Sequence, residues 1–115
     1  MIAKEKEHER SVRKAKTEAL SENGIEKMCK IYQLLSDPIR LKIVLALMEG
    51  ELCVYHLMEV CNVTQSAISH QLRVLRDNNI VKCRRLGQRM EYALADVHIR
   101  EIVEKGKAHV FCEKV

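Results

Sequence analysis

The C-terminal segment carries four side chains of types that bind soft metal ions. Asp96, His98, His109 and Cys112 follow the series D-x-H-x10-H-x2-C. Because a helix turns about 100° per residue, His109 lies only about 20° round the axis from His98, and Cys112 about 40° to the other side. Imidazole, thiolate and carboxylate groups are the ligands that zinc uses in proteins. The spacing therefore predicts a metal-binding helix face.

Within one copy of this helix, the two histidines are too far apart to bind the same ion. Eleven residues at about 1.5 Å each separate His98 from His109 by roughly 16 Å, so one ion cannot touch both. An antiparallel second copy would bring His98 of one chain beside His109 of the partner subunit, giving two equal sites across a two-fold axis. The alternative is that the histidines are solvated and that Cys112 is a small hydrophobe.

Length and composition favour a single domain over residues 1–115, of a size that oligomerisation helps to stabilise. No run of eighteen apolar residues occurs and the N-terminus is charged, so neither a membrane span nor an export signal is expected. Five cysteines, an odd number, argue against a disulfide framework. These features predict a cytoplasmic protein with no membrane partner.

The basic charge is concentrated in one stretch of the chain. The formal net charge is +4, and residues 61–95 alone carry six cations against two carboxylates, which accounts for the whole excess. A localised basic surface on a small domain indicates a polyanionic partner. The chain has no Trp and few other aromatics for stacking on single strands, so duplex DNA is the better candidate.

Apolar periodicity predicts helices over about residues 4–20, 25–35, 39–48 and 52–60. The first two should be separated by residues 21–24. Asp37 is expected to cap the third, with Pro38 at its first helical position. Asn62 follows the fourth, in a tight turn that tolerates a left-handed conformation.

The next helix has the features of a DNA-recognition helix. Thr64 is its expected cap, and it should run from Gln65 to about Asp77. Ala67, Ile68, Leu72 and Leu75 form the predicted inner face. Two short helices joined by a tight turn indicate a helix-turn-helix, although the pattern alone also fits a plain helical hairpin. The predicted DNA contacts on the outer face are Gln65, Ser66, Ser69, His70 and Arg73.

A predicted β-hairpin follows, and it favours the helix-turn-helix over the plain helical hairpin. Residues 80–85 and 89–94 flank Leu86-Gly87-Gln88, and Arg84, Arg85 and Arg89 lie near the tip. A helix-turn-helix followed by a basic-tipped hairpin is a winged helix, in which the wing contacts backbone or minor groove. The alternative is a solvated charged hairpin. The fold class is therefore mainly α with a β-hairpin wing.

Three motifs resemble the ArsR/SmtB metal-sensing repressors. They are Leu35-Ser-Asp-Pro-Ile-Arg-Leu-Lys-Ile43, Glu51-Leu-Cys-Val54 and Val63-Thr-Gln-Ser-Ala-Ile-Ser-His-Gln-Leu-Arg-Val-Leu-Arg76. The likeness covers roughly residues 25–112. It implies a homodimeric winged-helix repressor, joined through its N- and C-terminal helices, that releases operator DNA when metal binds. Residues 1–24 would be an N-terminal arm, 25–95 the winged-helix core, and 96–115 the dimerisation and sensing helix.

The resemblance also implies where metal would bind. The zinc-sensor site of the family matches at Asp96, His98 and His109, but its last ligand is commonly His or Glu where this chain has Cys112. Cysteine is a competent zinc ligand, so Zn(II) is expected first, but the thiol favours softer ions such as Cd(II). Co(II) and Ni(II) are further alternatives. Glu113 is the alternative fourth ligand.

A second family site uses a Cys-Val-Cys stretch, and here the sequence reads Cys53-Val54-Tyr55. With one thiol missing, a thiolate-rich lead or arsenic site is not expected. Cys53 and His56, with His8 of a partner's N-terminal arm, form a candidate lesser site. The alternative there is a buried Cys53 beside an exposed His56.

The remaining cysteines bear on two alternative functions. Cys29, Cys61 and Cys83 fall on or beside apolar faces and are expected in or near the core. A thiol redox or persulfide sensor on the same fold would use Cys112 and Cys29, whereas a metal-independent DNA-binding protein would respond to no effector. Enzyme activity and a small organic substrate are not expected, because no nucleophile–base pair is evident.

Overall fold

The computed structural model describes residues 2–112, which form two compact units divided between Lys30 and Ile31. None of the described helices is both long and apolar enough to cross a membrane. The elements follow the order α1 (Ile2–Glu18), α2 (Glu22–Leu35), α3 (Pro38–Leu47), α4 (Val54–Cys61), α5 (Gln65–Asp77), β1 (Val81–Leu86), β2 (Arg89–Leu94) and α6 (Val97–Cys112).

The first unit contains α1 and the beginning of α2. Every side chain over residues 3–18 is exposed, so α1 buries no face within its own unit. The expected break at residues 21–24 is wrong in its extent, since Glu22 already begins α2. The reason is the Ser21 hydroxyl, which accepts the Gly24 N–H at 3.1 Å and so satisfies a first-turn donor. Cys29 is exposed on α2, contrary to the expectation of a near-core residue.

The core of the second unit lies between the helix-turn-helix and the elements that flank it. Five core side chains have no exposed surface: Ile43 and Val44 of α3, Leu57 of α4, and Ile68 and Leu75 of α5. Further members come from the wing and from α6, so one apolar cluster joins every element of this unit. Burial of this kind is the main stabilising term for a domain of this size.

The helix-turn-helix is confirmed in its local details. Asn62 ends α4 in the left-handed conformation with φ 55°, and its N–H bonds the Met58 carbonyl at 2.8 Å. Thr64 caps α5, its hydroxyl accepting the Ala67 N–H at 3.2 Å. The predicted inner face of α5 is buried at Ile68, Leu72 and Leu75 and half-buried at Ala67.

The fourth helix begins two residues later than the apolar pattern predicts. Leu52 is not helical, because it exchanges two backbone hydrogen bonds with Tyr92, at 3.1 and 2.8 Å. Cys53 then takes an extended conformation as the residue preceding α4. The wing strands β1 and β2 pair antiparallel through a two-residue loop in which Gly87 has φ 65°. Leu52 therefore lies against the outer edge of β2.

Asp37→Ala is expected to lower the free energy of unfolding by about 1 kcal/mol. Asp37 Oδ2 accepts the Arg40 N–H at 3.0 Å, and Pro38 occupies the first helical position, as predicted. Urea denaturation at one fixed protein concentration measures the change. Asp37→Asn is the matched control, since asparagine caps equally well, and an equal loss in both variants would contradict the capping role.

Candidate nucleic-acid interface and metal centre

The recognition helix presents its polar residues to solvent. The side chains of α5 predicted to contact DNA, Gln65, Ser66, Ser69, His70 and Arg73, are all exposed. The opposite face of α5 is anchored in the core, so the exposed face is held by a rigid support. An α-helix presented in this way fits the major groove of B-DNA, where base edges are distinguishable.

An arginine that was not predicted as a functional residue positions this helix. Arg40 of α3 donates from Nε to the Leu34 carbonyl at 2.8 Å and from a terminal nitrogen to Gln71 Oε1 at 3.1 Å. It thus links the end of α2 to the middle of α5. The signal in the sequence is that Arg40 and Lys42 are the two cations of an otherwise apolar helix, and such a pattern is equally typical of solvated side chains.

The arginines of the wing are partly engaged with carboxylates. Arg84 donates from Nε to Glu51 Oε2 at 3.0 Å, and one of its terminal nitrogens lies 2.8 Å from the same oxygen. The hydrogen bond and the carboxylate charge raise the pKa of the guanidinium. Arg89 lies 3.7 Å from Glu91, which is only 7% exposed. Arg85 is exposed close to the tip. The three arginines of the wing that are predicted to bind DNA therefore differ in their surroundings.

Glu51→Gln is expected to tighten DNA binding about two- to fivefold at low salt, because it releases Arg84 from an exposed ion pair of modest strength. The affinity of a labelled duplex, measured by fluorescence anisotropy at several salt concentrations, tests this. Glu49→Gln, an exposed carboxylate beyond the end of α3, is the matched control. Equal changes in the two variants would indicate a general charge effect rather than release of Arg84.

The N-terminal end of α6 brings two of the predicted metal ligands together. Asp96 caps the helix, with Oδ1 accepting the Ile99 N–H at 3.0 Å, and the same oxygen lies 3.9 Å from His98 Nδ1. Both side chains are accessible, at 52% and 81% exposure. His109 and Cys112 are exposed near the other end of α6, whereas Glu113 lies outside the described residues.

No group of three potential ligands forms within residues 2–112 of a single chain. Asp96 and His98 are therefore half of a donor set at most. Carboxylate and imidazole donors suit Zn(II), which is tetrahedral in structural sites and would need two further ligands. Those ligands must come from another chain if the site is built on α6.

Cys53 and His56 meet at the start of α4. Cys53 Sγ lies 3.3 Å from His56 Nδ1, and the Cys53 N–H points at the same nitrogen at 3.4 Å. Cys53 is 3% exposed, whereas His56 is exposed, and His8 is exposed on α1. Of the remaining cysteines of the second unit, Cys83 is half-buried, and burial raises the pKa of the Cys61 thiol.

A helix-turn-helix with an exposed polar recognition helix, followed by a hairpin with arginines near its tip, defines a winged-helix DNA-binding protein. The family described as "Bacterial regulatory protein, arsR family" matches residues 37–82. The chain is 38% identical to a transcriptional repressor SmtB homolog of Synechocystis sp., over 90% of this chain and 78% of that protein. The chain belongs to the ArsR family.

Two further similarities extend this assignment. A cadmium resistance transcriptional regulatory protein CadC homolog of Staphylococcus aureus is 36% identical over 89% of this chain and 84% of its own length. The fold matches a homodimeric winged helix-turn-helix DNA-binding domain from Mycobacterium bovis with a TM-score of 0.71 at 20% identity, covering 81% of this chain and 89% of that one. The last similarity bears on the fold alone.

Proposed function

We propose that this protein is a homodimeric repressor that binds operator DNA without metal and releases it when Zn(II) or a similar divalent ion binds. The observation that carries the metal response is the pairing of Asp96 with His98 at the exposed start of α6, with His109 and Cys112 on the same helix. Relatives named for SmtB and for cadmium resistance support a metal effector.

The DNA-binding half of the proposal rests on α5 and the wing. Gln65, Ser66, Ser69, His70 and Arg73 would face the major groove, where amide, hydroxyl and guanidinium groups read base edges. Arg84, Arg85 and Arg89 would contact phosphates or the minor groove, adding an affinity that depends on salt but hardly on sequence. The partner would be an imperfect palindrome, because a two-fold dimer presents two recognition helices.

Two observations support a second copy of the chain as the partner. The proposed metal site would be completed by His109 and Cys112 of the partner subunit, since one chain assembles no three ligands over residues 2–112. In addition, α6 and α3 border an apolar groove of about 490 Å³, with Val110 and Phe111 each more than half exposed. Apolar surface of this kind indicates a protein interface.

The ion would be held by Asp96 and His98 of one protomer and by His109 and Cys112 of the partner subunit. Cross-linking two α6 helices favours whichever dimer geometry brings these four groups together. Release of DNA follows if that geometry spaces the recognition helices badly for successive major grooves. By linkage, DNA must weaken metal binding by the same factor, typically about 1–3 kcal/mol of coupling.

Fluorescence anisotropy of a labelled operator-like duplex, titrated with reduced protein with and without zinc at fixed salt, tests the proposal. Release by zinc that a chelator reverses is the expected result. Tight binding that ignores every divalent ion would favour the metal-independent alternative. Release only on mild oxidation would favour a thiol sensor, for which Cys29 and Cys112 are the exposed candidates. No binding to any plausible duplex would overturn the DNA-binding role.

A further inference from the structure

A polar cleft of about 490 Å³ lies between the recognition helix and the wing. Three of its side chains, Ser69, Arg73 and Arg76, are spaced at i, i+4 and i+7 along α5 and so follow one face of that helix. Tyr92 of β2 lines the opposite wall, and Leu72 and Asp77 complete the lining. The cleft thus joins the two elements that a winged helix applies to DNA.

The cleft favours a small anion. Two guanidinium groups and one carboxylate line it, so its formal charge is positive. Arg76 is exposed and close enough to the Tyr92 phenol to lower its pKa in part, although burial has the larger effect and raises it. The phenol therefore stays protonated at neutral pH and can donate its O–H, alongside the arginine N–H groups.

The strand that carries the tyrosine wall of the cleft is fixed on both sides by its backbone. Tyr92 pairs with Cys83 across the hairpin on one side and exchanges two backbone hydrogen bonds with Leu52 on the other. The α5 wall is anchored by the buried Leu72 and Leu75. The backbones that carry both sets of donors are therefore fixed before a ligand binds, which lowers the conformational entropy lost on binding.

We propose that this cleft seats one backbone phosphodiester of the operator, with Arg76 and Tyr92 as its ligands beside Arg73. The inference rests on the proposed DNA-binding function and deepens it, because neither Arg76 nor Tyr92 belongs to the contacts predicted from the sequence. A phosphate held between helix and wing fixes how deeply α5 enters the groove, and it contributes no sequence information of its own. The Asp77 carboxylate, which also lines the cleft, would repel the same phosphate.

The test measures duplex affinity by anisotropy for Arg76→Ala, Tyr92→Phe and Asp77→Asn in the full-length protein. Arg76→Ala should weaken binding about tenfold, equally on operator and unrelated duplex, and should lower the salt slope by about 0.9 for each occupied cleft. Tyr92→Phe should weaken binding about threefold and leave the slope unchanged. Asp77→Asn should tighten binding, an effect that damage to the fold would not produce.

Lys42→Ala, which removes an exposed cation of α3 outside the cleft, is the matched control. Losses in Arg76→Ala no greater than in this control, or no tightening in Asp77→Asn, would overturn the proposal while the wild type still binds DNA. A wild type that binds no duplex would overturn the DNA-binding function and the proposal with it. If Arg76→Ala relieved inhibition by inorganic phosphate without changing DNA affinity, the cleft would belong to a free anion instead.

Discussion

His98→Asn is expected to leave the DNA affinity of the metal-free dimer unchanged and to abolish its release by zinc. The amide keeps the polar character of an exposed position but replaces the imidazole donor that lies 3.9 Å from Asp96. The coupling between effector and DNA is typically about 1–3 kcal/mol, so zinc should weaken the DNA affinity of the wild type about 5- to 150-fold. The variant should show no such change. Anisotropy of the operator complex with and without zinc measures it.

His56→Asn is the matched control for this experiment. His56 is also exposed, but it lies on α4 beside Cys53 and outside the α6 ligand set. This variant should keep the zinc response. If His98→Asn retained regulation and His56→Asn lost it, the sensing site would have to be moved to the start of α4. If both variants responded as the wild type does, neither histidine would be a required ligand.

Ile68→Ala is expected to destabilise the protein by about 2–5 kcal/mol. Ile68 has no exposed surface and lies on the inner face of α5, so its removal leaves a cavity directly beneath the recognition helix. A loss of this size is a large share of the stability of about 5–15 kcal/mol that is usual for a domain. Urea denaturation measures it, at one protein concentration because the proposed dimerisation would contribute to the apparent stability.

Val60→Ala provides the comparison for that loss. Val60 is 60% exposed on α4, so its truncation removes few contacts and should change the free energy of unfolding by no more than about 0.5 kcal/mol. Similar losses in the two variants would contradict the assigned core. The Ile68→Ala variant should also bind DNA more weakly, since the recognition helix loses its support.

Features that depend on neighbouring residues were predicted well from the sequence. Asp37 and Thr64 cap their helices and Asn62 adopts the left-handed turn, because each of these choices is made within three or four residues. The inner face of α5 follows from the helical period alone. The wing was also found, with Gly87 in its loop, because alternating strands around a glycine are a local signal.

Contacts between distant residues were not predictable in this way. Arg84 and Glu51 are 33 positions apart, and Arg40 and Gln71 are 31 apart, so no periodicity relates them. The start of α4 was misplaced for the same reason, since the partner that holds Leu52 extended is Tyr92. The proposed α6 metal site differs from these contacts, because its ligand set would be completed by a second chain.

The position of Leu52 also bears on how the hairpin avoids unwanted association. An open strand edge offers unpaired N–H and C=O groups to any other extended chain and is a common route to aggregation. Leu52 covers part of the outer edge of β2 with two hydrogen bonds. The opposite edge belongs to β1, which carries Lys82, Arg84 and Arg85, so like charges discourage a second hairpin from adding to it. The arginines that suit the wing to a polyanion therefore also discourage it from pairing with the wing of another copy.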